Sequence, residues 1–311
     1  MPRAIDFIGF CGYNILEMLK QGLIIVNAYL NNPSIENQVK RLTEEFARFD
    51  VFITVKTGAE FPLHIDNSRV TSEISGYDFC IFLDKDKYLS NMLEKTGLPL
   101  FNSAKAIETC DDKMLTYIAL SGSGINLIKT LPGLLCYNRN SPISIKTIEK
   151  IENKLGYPVV VKESFGSLGK GVYKADNREE LISLAEKVKP FPHIFEEFVS
   201  SSAGEDTRVI VVGGKVIAAM KRKSETDFRS NISLGGKGFK TEISSEMKAA
   251  AEKTATILKL DYCGIDFLKG FDGEPVVCEV NSNAFFKGVE TITGINVAGA
   301  YAKHIYDKIY K

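Results

Sequence analysis

Neither sign of charge is in excess in this 311-residue chain: 39 lysines and arginines stand against 39 aspartates and glutamates. Proteins that grip duplex DNA or an acidic membrane usually carry a basic surplus, so neither nucleic acid nor membrane is an expected partner. Histidine is sparse, with three residues lying far apart, which argues against a histidine-built metal site. The six cysteines, Cys11, Cys80, Cys110, Cys136, Cys263 and Cys278, make no C-x-x-C pair. They read as small buried hydrophobes in a reducing cytosol, and a cytoplasmic location is expected. No apolar run is long enough to cross a bilayer. The opening stretch MPRAIDFIGFCGYNILEMLKQ is broken by Asp6 and has no A-x-A site behind it. Residues 1–21 therefore read as an N-terminal extension rather than a signal peptide. Internal repeats and low-complexity linkers are lacking too. What remains is an ordinary globular composition, 44% hydrophobic and 25% charged, in a chain long enough for two or three subdomains.

The first third alternates strands and helices. GLIIVNAYL (22–30) is a β-branched run, and SIENQVKRLTEEFARF places apolar residues at helical spacing behind a Ser34 cap. DVFITVKTG and YDFCIFLDKD are two further strands. Strand–helix–strand at this spacing predicts a parallel α/β layer over 22–103. LPLFNSAKAIETCDDKMLTYIALSGSGIN then reads as a strand end and a helix containing Lys113, which on sequence alone is more simply a solvated helix lysine. From SIKTIEKIENKLGYPVVVKES onward the texture changes to paired strands. Gly213-Gly214 splits two β-rich runs and signals a hairpin. SSEMKAAAEKTATILKL is a strong helix, and NVAGAYAKHIYDKIY is the last one.

The stretch VVVKESFGSLGKGVYKA (159–175) looks like a phosphate cradle. A Walker loop needs a hydroxyl straight after its lysine, but Gly171 follows Lys170. The dinucleotide fingerprint fails as well, since the glycines run G-x-x-G-x-G, and both of those loops open a helix. Here the loop joins two strand-like runs, so it tips a hairpin whose glycines free backbone N–H groups to face anionic oxygens. Lys162, at the end of the entering strand, can reach the same oxygens.

A second constellation lies about a hundred residues on. With Phe271-Asp272-Gly273-Glu274 taken as a two-residue hairpin, Asp266 falls opposite Glu279 and Gly264 opposite Asn281. Glu279 and Asn281, two apart, share a face with Asp266. Opposed carboxylates repel, and a divalent cation removes the conflict; oxygen ligands suit Mg²⁺. The plainer alternative is a set of solvent-facing polar residues on an amphipathic strand.

Lys162 with SFGSLGKGV, then IFEEFV, GEDTRVIVVGGKVIAAMKR, DFRSNISLGG, GIDFLKG and CEVNSN, together resemble an ATP-grasp ligase of the RimK-like family. That family adds amino acids such as glutamate to carboxylates of peptides or metabolites. The resemblance runs from about Gly22 to the C-terminus and is densest over 155–290. It implies an α/β (α+β) ATP-grasp fold: the extension 1–21, an N-terminal pre-ATP-grasp domain 22–103, and subdomains 104–199 and 200–311 that clamp ATP. It implies that Lys113 and Lys162 hold the α- and β-phosphates. Gly166, Ser167, Gly169, Lys170 and Gly171 belong to the loop over the γ-phosphate. Backbone groups of Glu196, Glu197, Phe198 and Val199 meet the adenine edge, and Asp206 is an acidic nucleotide contact. Arg229 and Asn231 touch the phosphates. Asp266, Glu279 and Asn281 hold Mg²⁺ or Mn²⁺, with two ions expected. Glutamate ligases of the family tend to read Ser-Pro-Gly after Glu-x-Asn; here the chain reads NSNAFFKGVE, closer to the LysX-type members that act on a carrier-protein glutamate.

The activity implied is an ATP- and Mg²⁺-dependent, ADP-forming carboxylate–amine ligase working through an acyl phosphate. Arg208, Arg222 and Arg229 would hold the carboxylate and its acyl phosphate with planar, bidentate forks. The partners expected are an amino acid and a carboxylate on a peptide, carrier protein or metabolite, in a homo-oligomer. Two alternatives share many of these residues: a peptide-maturation ligase crosslinking a ribosomal precursor, and a non-catalytic ATP-binding interaction module.

Overall fold

The computed structural model describes residues 20–29, 32–166 and 168–311. Of the predicted extension, residues 1–19 lie outside that set, as does Ser167. Lys20 and Gln21 belong to the first strand.

The N-terminal layer comprises β1 (Lys20–Val26), α1 (Pro33–Ala47), β2 (Val51–Thr57), β3 (Leu63–Asp66), β4 (Arg69–Ser72), β5 (Phe79–Phe82), α2 (Lys87–Lys95) and β6 (Leu100–Phe101). Its sheet is parallel in the order β2-β1-β5-β6. In β1 four consecutive residues, Gly22–Ile25, are buried, with Leu23, Ile24 and Ile25 fully so, sandwiched between helices on both faces. The cap of α1 is not Ser34. Asn32 accepts from Ser34 N, and Pro33 occupies the first helical position, where its missing N–H costs nothing. The β3–β4 hairpin was not foreseen.

A second layer holds α3 (Ala104–Asp111), α4 (Lys113–Leu120), β7 (Thr130–Pro132), α5 (Ile145–Leu155), β8 (Val159–Glu163), β9 (Val172–Ala175), α6 (Arg178–Val188) and β10 (His193–Glu197). The single helix expected around Lys113 is two. Asp112 is extended (φ −97°, ψ 109°) and its carboxylate caps α4 by accepting from Met114 N and Leu115 N, so Lys113 stands first in a new helix. The sheet is antiparallel in the order β7-β10-β8-β9. Val159, Val161 and Phe195 pack under α5 and α6, which turns the alternate residues Val160, Lys162 and Glu196 the other way.

The third layer holds β11 (Glu205–Val212), β12 (Lys215–Lys223), β13 (Lys237–Lys240), α7 (Ser245–Ile257), β14 (Tyr262–Lys269), β15 (Pro275–Asn281), α8 (Phe286–Thr293) and α9 (Val297–Tyr310). It is antiparallel, ordered β13-β12-β11-β14-β15. The Gly213-Gly214 turn is as expected, with Val212 facing Lys215 and both glycines at positive φ (56° and 74°). Val209 and Val211 pack with α7, while Ile210 and Val212 pack with α8 and α9. That second face turns from apolar to charged along β11, where Arg208 and Asp206 continue the row of Val212 and Ile210. Buried Asn102, just after β6, bonds this sheet to the first. Its Nδ2 donates to Tyr262 O and Ser282 O (2.8 Å each), and its Oδ1 accepts from Asp261 N and Tyr262 N (2.7 and 3.0 Å). Among the described residues, no helix is long and apolar enough to cross a membrane.

Candidate active site

A cleft of about 810 Å³, open to solvent, lies between the second and third layers. Lys113 enters from the start of α4 and Lys162 from the end of β8, and both are largely buried (8% and 7% exposed). The solvated-lysine reading of Lys113 therefore fails: its Nζ donates to Gly166 O (3.3 Å) and lies 3.5 Å from Glu279 Oε1. Lys162 Nζ lies 2.6 Å from Glu196 Oε2. Burial opposes the charge on Lys162, yet the Cys278 sulfur together with Glu196 and Glu279 outweighs it and raises its pKa above the ordinary lysine value. The Cys278 thiol, 3.7 Å from the same ammonium, is pushed up to about 12 by burial. It is neutral near pH 7, which leaves Glu196 as the close counter-ion.

The glycine-rich turn tips the β8–β9 hairpin, with Lys162 paired to Val172. Gly166, Gly169 and Gly171 all have positive φ (144°, 74° and 68°). Gly166, Gly169 and Lys170 line the cleft. Gly171 does not; a Cβ there would stand 2.9 Å from the Glu163 carboxyl carbon, so its requirement is packing under the turn.

Glu196, Glu197, Phe198 and Val199 form the cleft wall at the end of β10. Glu197 N donates to Lys129 O (3.0 Å) and Val199 O accepts from Ser202 N (3.0 Å), so those two backbone groups are already engaged. Arg229 and Asn231 line the cleft as well.

Four charges alternate across β12, β11 and β14. Arg222 Nε donates to Asp206 Oδ1 (2.7 Å), and its Nη2 bonds Asp206 and also reaches Asp266 Oδ2 (2.8 Å). Arg208 grips Asp266 from the other side through Nε and Nη2, 2.7 Å each. Burial works against the Asp266 charge, but the two guanidinium groups hold its pKa below the usual carboxylate range. Asp206 is pushed up by burial and by the charge of Asp266. Asp206, Arg222, Asp266 and Glu279 line the cleft, whereas Arg208 and Asn281 are not among its lining residues. The amide nitrogen of Asn281 is buried without a hydrogen-bond partner among the described residues.

Asp266 opposes Glu279 and Gly264 opposes Asn281, as the sequence predicts, but by a different route. The turn is not a two-residue hairpin: Lys269 pairs with Pro275 across five connecting residues, and Gly270 N donates to Glu274 O around the middle three. That moves the register by one, and a bulge moves it back, since Phe267 faces Val277 while Asp266 faces Glu279, leaving Cys278 without a partner. The bulge also brings Cys278 to the cleft, which a regular strand would not. Val160 and Leu268, apolar lining residues that the sequence reading missed, share faces with Lys162 and Asp266 at i−2 and i+2. Phe228, Ser202 and Ser230 carried no such signal.

Residues 110–305 match the RimK-like ATP-grasp domain. The chain is 40% identical over 225 residues to β-citrylglutamate synthase B of Danio rerio, covering 71% of this chain and 54% of that protein. It is 36% identical over 215 residues to a probable α-L-glutamate ligase of Maridesulfovibrio salexigens, covering 68% of each. The chain thus spans about half the length of the first curated relatives it matches. In solved structures its fold resembles the ATP-grasp ligase PsnB complexed with minimal precursor (TM-score 0.69, 18% identity, 94% of this chain and 100% of that one). Family match and fold agree with the paired lysines, glycine-rich hairpin and opposed carboxylates of the cleft: the chain belongs to the RimK-like ATP-grasp family.

Proposed function

We propose that the cleft binds ATP and that the protein is an ADP-forming carboxylate–amine ligase. The observation that carries this reading is the convergence of Lys113 and Lys162, both buried, on a cleft roofed by a glycine-rich hairpin and floored by Asp266 and Glu279. Two buried ammonium groups in one cleft exceed what Glu196 and Glu279 need as counter-ions once Glu279 also serves a cation, and polyphosphate oxygens are the matching charge.

Among the described residues Glu279 has only a loose contact with Lys113, and Asn281 has an unpartnered amide end, so both fit a hard, oxygen-seeking cation. An amide can be turned to offer its oxygen. Asp266 would join by yielding a contact with Arg208 or Arg222. Among the described residues no three His, Cys, Asp or Glu side chains form a ready metal cage, so the remaining ligands would be phosphate oxygens and water. When bound, Mg²⁺ neutralises charge on the phosphoryl group being transferred.

The chain's own groups supply position and charge. Lys113 and Lys162 hold the phosphates, and the backbone of the glycine-rich turn covers them. Arg222, with its fork held by Asp206, presents fixed positive charge where a substrate carboxylate and its acyl phosphate would lie; Arg208 acts by orienting Asp266. Glutamate as the amine, or as the acceptor-bound residue, is supported by the names of the relatives matched over two thirds of this chain.

Incubation with Mg-ATP, a pool of carboxylic acids and hydroxylamine tests the reading. ADP together with a hydroxamate is the expected result, and the mass of the hydroxamate identifies the carboxylate. AMP with pyrophosphate would mean adenylation and would overturn the mechanism.

A further inference from the structure

Asp227 lies outside the cleft wall, yet its carboxylate determines the orientation of a group that lines it. Oδ1 accepts from Arg229 Nε (3.0 Å) and from the Arg229 backbone N (2.8 Å), and Oδ2 accepts from Nη2 (2.7 Å). A guanidinium is planar, so fixing its Nε–Nη2 edge also fixes the direction of Nη1. Nη1 then donates to Gly169 O (2.7 Å) and Val172 O (3.4 Å), at the tip and exit of the glycine-rich turn. The same turn is packed against the segment that follows Arg229. A Cβ on Gly169 would stand 2.8 Å from Leu234 Cδ1 and 3.1 Å from Asn231 Oδ1, so only a residue without one permits this approach. Beneath the guanidinium lies the Phe228 ring, 5.6 Å from Cζ, which meets Phe198 of the β10 end edge-on at 6.1 Å.

We propose that Asp227 is a positioning residue: through Arg229 it holds the glycine-rich turn against the third layer and so sets how far the turn stays closed over the cleft. The kinetic meaning of that closure rests on the reading of the cleft as a nucleotide site; the latch itself does not. Because the donors of Arg229 toward Asp227, Gly169 and Val172 are in use together, the side chain acts as a strut between two layers before it touches any ligand. A plain exposed ion pair would leave the turn indifferent to Asp227.

Hydrogen exchange of the full chain without nucleotide, followed at the amides of 168–172, separates these cases. In Asp227→Asn the amides of 168–172 exchange on the order of 10-fold faster, while β11 and β14 and the melting temperature stay unchanged. Asp227→Glu restores most of the protection, and Asp227→Asn combined with Arg229→Lys is no faster than the faster single variant, because the two residues act as one unit. Unchanged exchange at 168–172 in Asp227→Asn, or a rise shared by the whole sheet, overturns the proposal. A non-hydrolysable ATP analogue with Mg²⁺ should slow the same amides further in the wild type. If it leaves them untouched while Asp227→Asn still speeds them, the latch stands and the nucleotide reading falls.

Discussion

Asp266 and Glu279 face each other directly across β14 and β15, two carboxylates on one face of one sheet. Arg208 and Arg222 neutralise Asp266, but among the described residues only Lys113, at 3.5 Å, forms an ion pair with Glu279. The pair is therefore held asymmetrically, with Glu279 the more available for a ligand. Glu279→Ala should leave the fold intact, because the side chain is a quarter exposed and makes no close hydrogen bond among the described residues. ADP release with the full substrate set should fall about 10²–10³-fold, the loss typical of removing one preorganised charge contact. Circular dichroism and a product assay check both halves; full activity with Mg²⁺ would show that Glu279 holds no metal.

Lys162→Met tests stability as well as binding. It leaves Glu196, 1% exposed and with one oxygen already unpartnered, as a buried charge without its counter-ion. Breaking a buried pair in this way costs about 3–5 kcal/mol. Adding Glu196→Gln should recover much of that loss in a urea titration, since the uncompensated charge is then gone. Equal stability of the single and double variants would mean that Glu196 is not held by Lys162.

Asn102→Ala should destabilise the chain by about 2–4 kcal/mol, because buried backbone groups of Asp261, Tyr262 and Ser282 lose their partner together. Thermal melts should show one lowered transition. A cost below about 0.5 kcal/mol would mean that the two sheets are joined mainly by apolar packing.

His193 gives a pH signature. It is 5% exposed, with Nδ1 against Phe191 O at 2.8 Å and its ring pressed on Gly133. Burial lowers its pKa below the ordinary 6.5, outweighing the Phe191 carbonyl. The folded state then binds fewer protons than the unfolded one, so this contribution is whole above pH 6.5 and is lost as pH falls below it. Stability of wild type minus His193→Gln, measured from pH 8 to 5, should fall in that window; a flat difference would contradict the assignment.

The longer strands of all three layers were legible because their β-branched runs are bounded by glycine, proline and asparagine, whereas the short β3, β4, β7 and β13 were not. Lys113 was not legible by pattern: nothing in the periodicity of its helix shows that Asp112 breaks the chain and turns the lysine inward. The Asp266–Glu279 pairing was read correctly from a turn that does not exist, because the longer turn and the Cys278 bulge offset one another by one residue each. Bulges depend on neighbouring strands and leave no local mark, which is why Cys278 was read only as a buried thiol. Arg208 and Arg222 looked alike in sequence. Their separation, Arg208 bonded to Asp266 without lining the cleft and Arg222 lining it, follows from the sheet order β12-β11-β14, which no single segment encodes.

Titration calorimetry of a non-hydrolysable ATP analogue, with and without Mg²⁺, tests the central claim most directly. The account predicts that wild type binds and that Mg²⁺ tightens binding, that Glu279→Ala binds without the Mg²⁺ gain, and that Lys113→Met weakens binding about tenfold or more. Affinity that ignores Mg²⁺ and both substitutions would contradict the assignment of this cleft.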